Sequence, residues 1–185
     1  MRILLTAFEP FDGDVRNSSL DTLEGIKTLY PKVILPVSYK RSKEELEKAI
    51  IKYQPDFILS LGQAGGDKEV RIEKIALNYT RASISDNDGV LLKKGKIIDG
   101  PLALESDLDV EELVDLVNSN VPCYLSLSAG GYICNTVYYY DLFKMHNRAL
   151  FVHLPSFSEK TISKDEAIKA IEMVILYIEE YYAKN

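Results

Sequence analysis

Residues Cys123–His153 read CYLSLSAGGYICNTVYYYDLFKMHNRALFVH, and their order decides the fold. Cys123-Tyr-Leu-Ser-Leu127 and Leu150-Phe-Val-His153 are short bursts of apolar, aromatic and β-branched residues, the composition of buried strands. Between them Gly130-Gly131 allows a sharp turn, and a helix-like run then continues to about Lys144. The same alternation extends in both directions. Arg2–Thr6, Val33–Val37 and Asp56–Ser60 are further strand candidates. Residues 163–182 place Ala167, Ile171, Val174, Ile175, Ile178 and Tyr182 on one helical face, with Ser163 and Glu166 as a capping box at the start. Ser42 with Glu45 opens a second helix in the same way, and Asp109 with Glu112 suggests a third near 110–119. Strands alternating with amphipathic helices predict an α/β protein, a three-layer α/β/α domain with a twisted, mostly parallel mixed sheet, organised as a single domain over residues 1–185. Residues 68–98 break the alternation. They lack a helical stripe and carry the turn signals Asp86-Asn87-Asp88-Gly89 and Lys94-Gly95, which predicts an antiparallel excursion.

With 185 residues, 46% hydrophobic and 27% charged, the chain can build a sizeable core, which argues against disorder and against a disulfide scaffold. Twenty-two basic against 28 acidic residues give a net charge of −6, so the footprint of a nucleic-acid binder is missing. No apolar run approaches the ~18 to 20 residues of a membrane span, and the apolar start Met1–Thr6 is too short for a signal peptide. No nucleic-acid or membrane partner and a cytoplasmic location are therefore expected.

Nucleophilic or metal chemistry near neutral pH has few side chains to draw on: Cys123, Cys134, His146 and His153. Their gaps of 10, 11 and 6 intervening residues do not match the close ligand pairs of zinc sites, so no metal is expected. Cys134 follows the glycine turn near a helix N-terminus, where free N–H groups and the dipole favour a thiolate and a developing oxyanion. His153 ends the next strand and is a candidate base. Glu73, in Arg71-Ile72-Glu73-Lys74-Ile75-Ala76-Leu77, is a candidate for the carboxylate that orients the imidazole, and strand alternation would set it on the face of Ile75 and Leu77. Each also has a structural alternative: a packed thiol, a hydrogen-bonded core histidine, and a strand-edge glutamate paired with Arg71 or Lys74. Gly62-Gln63-Ala64-Gly65-Gly66 lacks the Lys-Ser/Thr ending of a nucleotide-binding P-loop and suits close backbone approach by a small ligand. Phe8-Glu9-Pro10-Phe11-Asp12-Gly13 could supply an apolar pocket wall. Tyr138-Tyr139-Tyr140 reads as core and interface packing.

Several of these stretches together resemble the pyroglutamyl peptidase I family of cysteine peptidases along nearly the whole chain. Thr6–Gly13 with Asn17-Ser18-Ser19 is similar to the family's GFxPFGG and NPS elements. Gly62–Gly66 resembles GQAGG, Glu73–Asn78 resembles ERxAxN, and Asp86–Gly89 resembles PDNxG. Ser128–Asn135 resembles the nucleophile motif SAGTYxCN, and Val152–Pro155 the histidine motif. The resemblance implies removal of an N-terminal pyroglutamyl residue from peptides through a thioester on Cys134, with His153 as base, Glu73 as orienting carboxylate, and no cofactor. It implies a ring pocket between Phe8 and Phe11, with Gln63, Tyr132 and Ile133 as further substrate contacts, and a homo-oligomer, dimer or tetramer. Three departures stand out. Asp67 and Ser83 replace usual arginines, the second of which assists the oxyanion, and Gly131 replaces Thr. Arg81 would share a strand face with position 83 if that segment stayed extended. The alternative reading is a divergent, weakly active or inactive member that binds a cyclic amide or a peptide terminus.

Overall fold

The structure is a computed structural model and describes residues 1–184. Its main sheet holds six strands: β1 (Ile3–Phe8), β2 (Lys32–Leu35), β3 (Phe57–Gln63), β4 (Val70–Glu73), β7 (Cys123–Ser126) and β8 (Ala149–Leu154), in the order β2-β1-β3-β8-β4-β7. The β1–β2, β1–β3, β3–β8 and β4–β7 pairings are parallel and β4–β8 is antiparallel, which is the mixed, mostly parallel sheet expected from the alternation. Every residue of β1 and β8 is buried, as strands covered on both faces require.

The helices cover the two faces. Alternate strand residues Ile3, Leu5, Leu59 and Val152 pack with Leu23 of α1 (Ser18–Gly25), Leu113 of α3 (Val110–Asn118) and Ile171 and Val174 of α5 (Lys164–Lys184). Their neighbours Leu4, Ile58 and Phe151 face the other way. They meet Leu46 of α2 (Arg41–Tyr53) and Val137 and Tyr138 of α4 (Ile133–Lys144). Tyr138 and Tyr139 are fully buried, in keeping with a packing role for the tyrosine run.

The predicted capping box at the start of α5 is present: the Ser163 N–H donates to the Glu166 carboxylate at 2.7 Å, and the Glu166 N–H donates back to Ser163 Oγ at 3.2 Å. Asp109 likewise caps α3 by accepting from the Glu112 N–H at 3.0 Å. The Ser42–Glu45 box does not form. Helix α2 begins at Arg41, whose N–H donates to Ser38 Oγ (3.1 Å), so the capping oxygen comes from upstream; Ser42 is buried inside the first turn and Glu45 pairs with Lys48.

Further expectations need correction. Glu73 does not share a continuous strand with Ile75 and Leu77. The chain leaves the main sheet at Lys74, and β5 (Ile75–Leu77) pairs instead with β6 (Ala103–Glu105) in a separate two-stranded sheet. The predicted 68–98 excursion is only partly an antiparallel structure apart from the sheet: residues 70–73 are strand β4 of the main sheet, the partner of β5 lies beyond residue 98, and within the range a Thr80–Gly95 bridge is antiparallel. The segment then bends at Ser83-Ile84, so alternation does not relate Arg81 to position 83. Strands β7 and β8, though consecutive in the chain, are not neighbours in the sheet. Strand β4 lies between them, and β7 runs with β4 and against β8, so residues 127–132 carry the chain back along the sheet before α4 begins.

Candidate active site

Strands β3, β4 and β8 set the side chains level with one another. Gly62 is paired with His153, and Arg71 lies opposite His153 on the other side. Arg71, Glu73, Phe151 and His153 therefore share the sheet face covered by α4. His153 is 3% exposed and Glu73 is fully buried. His153 Nδ1 lies 2.7 Å from Glu73 Oε1, and because a carboxylate only accepts, Nδ1 carries the proton and Nε2 is left as the acceptor. The Phe151 ring packs on the imidazole with centroids 4.8 Å apart, and Tyr138 packs on Phe151 at 5.8 Å. The alternative pairing of Glu73 is present as well: Arg71 Nε lies 2.8 Å from the same Oε1, whereas Lys74 turns outward to Glu111.

Cys134 enters this face from the first turn of α4. A Cβ on Gly62 would lie 2.8 Å from the Phe151 ring and 3.1 Å from Cys134 Sγ, so the missing side chain is what admits the sulfur beside the strand position paired with His153. The turn before Cys134 is as tight as its glycines suggest. Gly130 takes a left-handed backbone (φ 83°), and a Cβ on Gly131 would lie 2.7 and 2.8 Å from backbone atoms of Arg81. The Arg81 N–H donates to the Gly131 carbonyl at 2.8 Å. Position 131 therefore has no room for the usual Thr while residue 81 stays where it is.

Among the described residues no side chain caps α4, in contrast to α1, α3 and α5, so its first-turn N–H groups remain available to an oxyanion. The resting thiol differs from the sequence expectation. Burial pushes the Cys134 thiol up to about 12, the nearby Glu73 adds to the rise, and Arg71 and the helix N–H oppose it without prevailing. Burial also lowers His153, against the opposing pull of Glu73. The site at neutral pH thus holds a neutral thiol and a neutral imidazole. The outer side of Cys134 still opens on a small cavity of about 40 Å³.

That cavity is lined by Phe8, Phe11, Gln63, Tyr132 and Ile133, the five residues singled out as substrate contacts, together with Cys134. Asn17 and Val37 complete it and are not among the sequence candidates. Tyr132 lies against Phe11 (6.3 Å) and edge-on to Tyr39 (5.9 Å), with its hydroxyl donating to the Ser85 carbonyl at 2.9 Å. Gln63 Oε1 accepts from the Ser18 N–H at 2.7 Å. The wall is fixed from behind by the Asp86–Gly89 turn: Asn87 donates to Glu9 Oε1 (2.9 Å), and the Val37 N–H donates to the same oxygen at 3.1 Å. Asp86 accepts from the Tyr39, Asp88 and Val90 N–H groups. Cys123 sits on β7 with its thiol raised by burial to about 12, and His146 is exposed beyond the end of α4, so neither joins the site.

A family model described as pyroglutamyl peptidase matches residues 1–178. The chain belongs to the pyroglutamyl peptidase family. Among curated relatives, the pyrrolidone-carboxylate peptidase of Thermosipho melanesiensis is 36% identical over 178 residues, covering 89% of this chain and 87% of the relative. Pyrrolidone-carboxylate peptidase 1 of Streptococcus pneumoniae serotype 4 is 33% identical and covers all of this chain and 96% of its own. Among solved structures, the pyrrolidone carboxyl peptidase of Thermococcus litoralis superposes with a TM-score of 0.93 at 30% identity, covering 99% of this chain and 95% of that one. Family membership extends over both faces of the sheet and includes Cys134, Glu73 and His153 within the matched span.

Proposed function

We propose that this pyroglutamyl peptidase uses Cys134 as nucleophile, His153 as general base and acid, and Glu73 as the carboxylate that fixes the imidazole, on peptides that begin with pyroglutamate. The observation that carries this reading is the short Glu73–His153 hydrogen bond on the same face as a cysteine sulfur admitted by Gly62, the cysteine itself lining one small cavity with aromatic walls. The pyrrolidone ring would lie between Phe8, Phe11 and Tyr132, with its amide toward Gln63.

His153 Nε2 takes the thiol proton as Sγ attacks the pyroglutamyl carbonyl carbon, so the energetic penalty of a buried thiolate is confined to the moment of attack. Negative charge gathers on the carbonyl oxygen, within reach of the uncapped N–H groups of α4. The imidazolium then protonates the peptide nitrogen, the C–N bond breaks, and the shortened peptide leaves a thioester on Cys134. His153 next removes a proton from water, which attacks the thioester, releases pyroglutamate and returns the proton to sulfur.

Turnover of a chromogenic pyroglutamyl amide by the wild type and by Cys134→Ser tests the assignment. Wild-type turnover with loss in the variant is expected. Turnover no higher in the wild type than in the variant would remove the peptidase assignment and leave a binder of the cyclic amide.

A further inference from the structure

The carboxylate that orients His153 is itself held by a second partner, and that partner is held by a third group. Glu73 Oε1 lies 2.7 Å from His153 Nδ1 and 2.8 Å from Arg71 Nε, so the imidazole and the guanidinium compete for one oxygen. Among the described residues Glu73 Oε2 is buried with no hydrogen-bond partner, and Arg71 Nε meets Oε1 at ion-pair distance but off the direction of a hydrogen bond. The contact is therefore charge against charge. Arg71 Nη1 reaches Asp67 at 3.2 Å, and the Arg71 side chain is 23% exposed beside a Glu73 that is fully buried.

Asp67 stands where the family usually has Arg, and the cation here comes from Arg71 on the strand instead. We infer that Arg71, steadied by Asp67, is a positioning residue that shares the Glu73 carboxylate with His153 and thereby sets how readily the imidazole accepts the thiol proton.

The surroundings contain few competitors for that role. The titratable and charged groups facing the Glu73–His153 pair are Arg71 on β4, Asp67 from the β3–β4 loop, and Cys134 and Tyr138 from α4; Tyr124 from β7 meets Arg71 and Asp67, and β3 contributes Gly62 beside His153. Tyr138 donates to the Glu73 carbonyl at 2.9 Å and leaves the carboxylate alone. Arg71 is thus the permanent cation beside a dry carboxylate whose other partner is neutral at rest. A cation there also disfavours imidazolium and favours thiolate, the directions in which Arg71 moves His153 and Cys134, whereas Asp67 pulls His153 the opposite way.

This inference rests on the Cys134–His153–Glu73 reading, and its test separates the two. Profiles of kcat/KM against pH are recorded with the chromogenic pyroglutamyl amide for wild type, Arg71→Met, Arg71→Lys and Asp67→Asn. Removing the cation makes the imidazole more basic, so the acid limb of Arg71→Met moves to higher pH, and the ratio of kcat/KM at pH 6 to that at pH 8 falls by about threefold or more. Asp67→Asn moves the limb to lower pH, and Arg71→Lys stays nearer the wild type. A purely structural role lowers all profiles without displacing them. Unmoved limbs, or limbs displaced in the same direction in Arg71→Met and Asp67→Asn, overturn the inference. If Arg71→Met does not fold, Asp67→Asn decides alone: a limb moved to lower pH supports the inference, and one that stays in place or moves to higher pH overturns it. An NMR titration of the His153 ring in a Cys134→Ser background, with His146→Gln to leave one imidazole signal, reads the same opposed displacements in the absence of turnover, so failure of the peptidase reading does not remove the test.

Discussion

Asp141 is a carboxyl group on α4 that the chemistry does not use, and it makes the stability of this protein depend on pH. The residue is fully buried. Its Oδ2 accepts from Ser60 Oγ at 2.7 Å, Ser60 Oγ accepts from Thr6 Oγ1 at 2.7 Å, and Oδ1 has no partner among the described residues. Burial raises its pKa from 3.8 to about 8, against the opposing effect of the Ser60 hydroxyl. Between those values the folded chain keeps a proton that the unfolded chain has released, so stability falls as pH rises and the contribution is lost by the folded value. The slope approaches about 1.4 kcal/mol per pH unit, which makes the loss between pH 6 and pH 8 about 2 to 3 kcal/mol. Asp141→Asn keeps the shape and the acceptor for Ser60 while staying neutral throughout. Thermal or urea unfolding of both proteins at pH 6 and pH 8 gives the double difference, in which other titrating groups cancel. The wild type is expected to lose about 4 to 12 °C more in Tm than the variant, taking roughly 2 to 4 °C per kcal/mol for a chain of this size. Equal slopes in the two proteins would refute a neutral, desolvated carboxyl at position 141.

The remaining predictions concern the site. Glu73→Gln replaces the negative, acceptor-only carboxylate that fixes the His153 tautomer by a neutral amide that can also donate, and is expected to cut kcat by about 10²-fold or more, read by steady-state kinetics on a variant shown to be folded by circular dichroism. Gly62→Ala brings a methyl group within 2.8 Å of the Phe151 ring and 3.1 Å of Cys134 Sγ. It should cost about 1 to 3 kcal/mol in urea unfolding and slow thiol alkylation as well as turnover. Gly131→Thr meets the Arg81 backbone at 2.7 Å, so the 79–82 segment must move, and a higher KM with a lower Tm is expected. Asn17→Ala loses the cap of α1, in which Asn17 accepts from the Ser19 N–H at 3.0 Å, and should cost about 1 kcal/mol in urea unfolding.

Local signals in the sequence locate most of the elements. The Asp109 and Ser163 caps and the apolar stripe of α5 are each contained within a few residues, and periodicity is enough to find them. The start of α2 escapes such a reading because its capping oxygen belongs to Ser38, in a turn that periodicity does not register. Direction is harder still. Nothing in the 123–153 stretch says that β4 will lie between β7 and β8 and reverse the local sense of the sheet, since that depends on pairings with residues 50 or more positions away. At the site, residue chemistry and the family resemblance point to Cys134, His153 and Glu73, and the structure brings them to one face. Arg71 stands out in the sequence only as a rival partner for Glu73, and the structure has both partners at once. The buried state of Asp141 is not legible either, because α4 is buried on most of its sides, polar residues Asn135 and Thr136 included, and has no clear apolar stripe to show which way an acidic residue faces.

Strand β8 is the last strand in the chain yet lies in the interior of the sheet, between the β2-β1-β3 block and the β4-β7 pair. A ribosome therefore releases both blocks before the strand that joins them, and until residues 149–154 insert, each block has an open edge. The same insertion delivers His153 to Glu73. Completion of the sheet and formation of the Glu73–His153 contact are therefore one event, and a chain whose last strand is not yet seated lacks that hydrogen bond.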